Sequence, residues 1–86
     1  MNDSQPARIL LMEDDAVTAR VLKNKLEKAG YSVEHVRDSD EGIAKVVSGA
    51  YDILTVDYSL PGRNGLEVIR ILGAKGIFPP VIMVTG

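Results

Sequence analysis

The sequence predicts an α/β fold, an open sheet of four parallel strands with three helices packed on it. Three observations carry that prediction. Short apolar runs alternate with helix-periodic segments along the chain in the order β-α-β-α-β-α-β. The first run, Arg8-Ile9-Leu10-Leu11-Met12, is continuously apolar after its arginine, as a strand buried on both faces requires. Glycines, prolines and acidic caps punctuate the segments, and the short connections between them favour right-handed crossovers.

Residues 8–12 form the first expected strand. Residues 15–29 follow with helical spacing: Ala19, Leu22, Leu26 and Ala29 make one apolar stripe, with Arg20, Lys23 and Glu27 on the other side. Gly30 ends that helix. Residues 31–36 are rich in strand formers and alternate, giving the second strand. Asp38, Ser39 and Asp40 offer caps for a second helix, and Glu41 stands three after Asp38 as in a capping box. Ile43, Val46, Val47 and Ala50 form its stripe. Residues 52–56 are the third strand, followed by the turn Leu60-Pro61-Gly62-Arg63-Asn64-Gly65. Asn64 caps a third helix, with Glu67 three residues on and a stripe of Leu66, Ile69 and Leu72. Gly76 ends it. Pro79 and Pro80 lead into the last strand, residues 81–84.

Composition narrows the function. With 86 residues the chain holds one domain, and 45% hydrophobic and 26% charged residues suit a globular one. The net charge is −2, and Glu27 interrupts the cluster of Lys23, Lys25 and Lys28, which reads as a solvated helix face; direct nucleic-acid binding is not expected. There is no cysteine, which excludes disulfides and thiolate chemistry. No apolar run is long enough to cross a membrane, and the expected location is cytoplasmic. Residues 1–6 read as a flexible polar tail before a domain at residues 7–86.

In open parallel sheets, ligands bind beyond the carboxyl ends of the strands. Here the first strand ends in Glu13-Asp14-Asp15, the third in Asp57 and the fourth in Thr85. Carboxylates leaving neighbouring strand ends converge, repel one another, and suit a hard divalent cation with oxygen ligands. Each residue has a plainer reading. Asp14 or Asp15 could cap the first helix, Asp57 could form a turn, and Thr85 could simply end a strand. His35 reads as a surface strand residue, and Met12 and Met83 as core fillers. The combination, in strand order, outweighs the single readings.

Three segments carry a resemblance. Ile9-Leu10-Leu11-Met12-Glu13-Asp14-Asp15 resembles the first strand and acidic pair of response regulator receiver domains. The stretch Asp52-Ile53-Leu54-Thr55-Val56-Asp57-Tyr58-Ser59-Leu60-Pro61-Gly62-Arg63-Asn64-Gly65 resembles their phosphorylation segment. Val81-Ile82-Met83-Val84-Thr85-Gly86 resembles their fourth strand and switch hydroxyl. The resemblance implies a flavodoxin-like, receiver-type sheet of order 2-1-3-4. It implies Asp57 as the acceptor of phosphate from a histidine kinase or phosphotransfer protein. It also implies Mg2+ held by Asp14, Glu13, Asp57 and the backbone carbonyl of Ser59, with Thr85 hydrogen-bonded to a phosphoryl oxygen. The family's fourth helix, fifth strand with its lysine, and fifth helix have no counterpart in these 86 residues, so a truncated fragment is expected. An exposed fourth strand or uncovered sheet face then favours a homodimer. Two other readings stand beside this one. A magnesium-dependent phosphohydrolase with an aspartate nucleophile needs a second carboxylate soon after Asp57, where position 59 is Ser. The other is an inactive receiver fragment that self-associates.

Overall fold

The computed structural model describes residues 5–49, 51–58, 60 and 63–84. Its elements follow in the expected order: β1 (Arg8–Met12), α1 (Ala16–Lys28), β2 (Ser32–Val36), α2 (Ser39–Ser48), β3 (Ile53–Asp57), α3 (Gly65–Ala74) and β4 (Val81–Val84). The four strands form one sheet in the order β2-β1-β3-β4. All three pairings are parallel: Leu10 stands between Glu34 and Leu54, and Asp57 pairs with Val84.

Alternation along β1 separates two cores. Leu10 and Met12 face one side, where they join Val36, Leu54 and Val56 of the sheet, Val46 of α2, and Val68 and Leu72 of α3. Ile9 and Leu11 face the other, against Ala19 of α1 and Val33, with Leu22 and Leu26 at the margin. One helix therefore covers one face and two cover the other. The four apolar residues of β1 are at most 3% exposed, as a central parallel strand with both faces covered demands. Truncating a leucine as enclosed as Leu54 to alanine costs about 2–5 kcal/mol.

The helix ends follow the capping chemistry. The Asp38 side chain accepts from the Glu41 N–H at 2.8 Å, but Glu41 reaches back to the Arg37 N–H rather than that of Asp38. Asn64 and Glu67 make the complete reciprocal box. Gly30 and Gly76 adopt positive φ of 102° and 77° just past α1 and α3, a conformation open to glycine without strain.

Two apolar stripes are rotated from expectation. In α3 the buried positions are Gly65, Val68 and Leu72, while Leu66 is 52% exposed and Ile69 is exposed too. In α2 they are Ser39, Gly42 and Val46, and Val47 is exposed. The cause is close helix–strand approach at two glycines. A Cβ on Gly65 would lie 2.4 Å from the Met83 sulfur, and one on Gly42 would lie 2.6 Å from that of Met12. Turning these glycines to the sheet turns Leu66 and Val47 away from it, while Ile69, four residues after Gly65, stays at the margin of the buried face. Ala29 is likewise exposed at the end of α1, and Ala50 lies outside the described residues.

Candidate functional site

β1 and β3 are hydrogen-bonded neighbours that end together, so residues just past Met12 meet the last residue of β3. Glu13, Asp14 and Asp57 each bring a carboxylate oxygen into a group whose members all lie within 4.8 Å of one another. Glu13 is buried, Asp57 half-buried and Asp14 exposed, so the cluster opens to solvent on one side. Asp15 is the cap of α1: its carboxylate accepts from the Thr18 N–H at 2.8 Å. This resolves which acid of the pair serves the helix and leaves Asp14 in the cluster.

Burial pushes the Glu13 carboxyl above its ordinary range, and the neighbouring Asp57 and Asp14 push the same way; the Asp15 N–H, donating to Glu13 Oε2 at 3.1 Å, opposes them. Crowded carboxylates of this kind favour a bound cation. The donor set is all oxygen, which fits a hard ion such as magnesium and not a thiophilic one.

The backbone around the cluster is tied on several sides. The Tyr58 N–H donates to Val84 O at 2.9 Å, and the Gly65 N–H to Tyr58 O at 3.2 Å. The Arg63 N–H donates to Ser39 Oγ at 2.9 Å, and its guanidinium contacts Asp40. His35 departs from the surface reading. It is half-buried, and its Nε2 lies 2.7 Å from the backbone oxygen of Glu13. The sequence offers Ser39 as one of three caps and gives His35 no partner. No local motif marks either one, because the contacts span 24 and 22 residues. Ser59 and Thr85, both expected at this site, lie outside the described residues.

A family model described as the response regulator receiver domain matches residues 9–86. The chain belongs to that family. Among curated proteins, the receiver is 34% identical over 85 residues to the transcriptional regulatory protein ResD of Bacillus subtilis, covering 99% of this chain and 35% of that protein. It is 35% identical over 78 residues to the transcriptional regulatory protein DltR of Streptococcus agalactiae, covering 91% of this chain and 35% of that one. The chain thus spans about a third of the length of these relatives. Among solved structures, the response regulator TrrA of Thermotoga maritima, in complex with Mg(2+)-BeF, superposes with a TM-score of 0.86 at 32% identity, covering 92% of this chain and 69% of that one. The Francisella response regulator 1452 receiver domain gives a TM-score of 0.89 at 26% identity, covering 92% and 65%. Among the described residues, no helix is long and apolar enough to cross a membrane.

Proposed function

We propose that this receiver takes a phosphoryl group onto Asp57 from the phosphohistidine of a histidine kinase or phosphotransfer protein. The observation that supports this reading is the convergence of Glu13, Asp14 and Asp57 at the carboxyl end of the sheet. A carboxylate oxygen of Asp57 attacks phosphorus; a P–O bond forms as the P–N bond breaks, and the leaving imidazole nitrogen keeps the electron pair and takes up a proton. Phosphoryl transfer of this kind rests on positioning and charge neutralisation. Asp14 and Asp57 bind magnesium directly, Glu13 supports it, and the bound ion supplies that neutralisation. The Mg(2+)-BeF in the TrrA complex agrees with this assignment. The sequence resemblance alone assigns Ser59 its backbone carbonyl ligand and Thr85 its hydrogen bond to a phosphoryl oxygen.

The chain acts as a switch module with self-catalysed transfer and loss of phosphate, not as a metabolic enzyme. Its unit is residues 7–86, with residues 1–6 as a tail, and its place is the cytoplasm. It makes no direct contact with nucleic acid. The 86-residue chain also forms a homodimer. β4 is an edge of the described sheet, and Ile82 on it is 56% exposed, an apolar edge that another copy can pair with. Sedimentation equilibrium of this chain gives a dimer on this reading; a monomer at every concentration rejects that part.

Incubation with a radiolabelled phosphohistidine donor tests the main proposal. The label transfers only with magnesium present and is released by hydroxylamine, as a carboxylic–phosphoric anhydride is. A label that survives hydroxylamine, or that transfers equally to Asp57→Asn, rejects it.

A further inference from the structure

We infer that His35 is a positioning residue for the cation site, acting through the main chain of Glu13. The inference rests on the proposal that Glu13, Asp14 and Asp57 hold a divalent cation. It adds a residue whose hydrogen bond goes to the main chain of Glu13.

The geometry is specific. The β1–β2 ladder ends at the pair Met12–Val36, and the next link is the Glu13 N–H donating to Val36 O at 3.1 Å. Beyond that point the chain must leave the sheet while keeping two acids aimed at Asp57. His35 stands beside Leu11 in the register and reaches two residues further, where Nε2 meets Glu13 O at 2.7 Å. A carbonyl accepts only from a protonated nitrogen, so the ring carries its proton on Nε2. Glu13 is thus held at three points: its N–H by Val36, its C=O by His35, and its Oε2 by the Asp15 N–H. The last of these links the acidic pair to the cap of α1.

The ring borders a groove beneath α1. His35 lines a groove of about 440 Å³ with Ala16, Ala19, Arg20, Lys23 and Glu27 of α1. The short side chains of Ala16 and Ala19 line the same open space, and the ring's placed contact is the one to Glu13 O. Outer partners that fix the orientation of metal ligands typically alter affinity by about 10–100-fold when removed. His35 acts on backbone rather than on a ligand side chain, which places its effect at about the lower end of that range.

The test is magnesium affinity by isothermal titration calorimetry, with thermal unfolding in parallel, on the native chain and on His35→Gln, His35→Asn and His35→Leu. Glutamine can place an amide N–H near the position of Nε2; asparagine is equally polar but too short, and leucine cannot donate. We expect the Gln variant to bind within about twofold of native, and the Asn and Leu variants about tenfold more weakly. A purely structural role would lower the melting temperature of all three without separating Gln from Asn in affinity, and that pattern overturns the inference. Equal affinity in all four proteins also overturns it. If the native chain binds no magnesium, the failure lies with the cation site itself. In that case the amide exchange of Asp14 and Asp15 still decides the matter: it quickens in Asn and Leu but not in Gln if His35 holds this turn, and is alike in all three if it does not.

Discussion

Ser39 Oγ accepts a hydrogen bond from the Arg63 N–H at 2.9 Å, fastening the segment after β3 to the start of α2. Ser39 is fully buried while Arg63 is exposed, so the bond lies at the edge of the core. We predict that Ser39→Ala costs about 0.5–1.5 kcal/mol, the usual net worth of a hydrogen bond whose donor water can reach. Chemical denaturation measures the loss, and faster amide exchange at Arg63 localises it. Unchanged exchange there would show that the segment is held by other contacts.

Thr55 gives a prediction of opposite sign. Its Oγ1 is buried without a hydrogen-bond partner among the described residues. Valine has the same shape and no hydroxyl. Thr55→Val should stabilise the 86-residue chain by about 1–3 kcal/mol, because the uncompensated polar group is removed at nearly constant volume. Thermal unfolding reads this as a higher midpoint, and a lower midpoint contradicts it.

A pH effect follows from Glu34. Its contact with Lys45, and then the Tyr51 hydroxyl donating at 2.6 Å, hold its carboxyl below the ordinary value. A lowered folded pKa means that the unfolded chain binds the proton more readily. The contribution to stability is present above the ordinary value of 4.5 and fades as pH falls through the lower folded value. Glu34→Gln should therefore lower stability at neutral pH and flatten the acid limb of the stability curve. The pair is partly exposed, so the effect is modest and shrinks in high salt. An acid limb of unchanged slope would show that other carboxylates dominate it.

The topology and the acidic cluster were legible because each rests on a local or pairwise signal. The apolar run of β1 announced a strand covered on both faces. The order of acids at strand ends placed Glu13, Asp14 and Asp57 together, and the structure brings them within 4.8 Å. The helix faces were less legible. Leu66 and Val47 are as apolar as the residues that are buried, and the close approaches at Gly65 and Gly42 turn them away from the sheet. The supports of the site were illegible for a related reason. His35 and Ser39 act on residues 22 and 24 positions away, across strand and helix boundaries that no spacing rule encodes.

The measurement that bears most directly on the central claim is the intact mass of the chain after exposure to a small phosphodonor such as phosphoramidate. Asp57 is the sole nucleophile in this account, and the carboxylates beside it serve to bind magnesium. The native chain should gain the mass of one phosphoryl group with magnesium present and none after chelation. Asp57→Asn should gain none under either condition while keeping its secondary structure. A variant that still takes up one phosphoryl group, or a folded native chain that takes up none with magnesium present, would contradict the account.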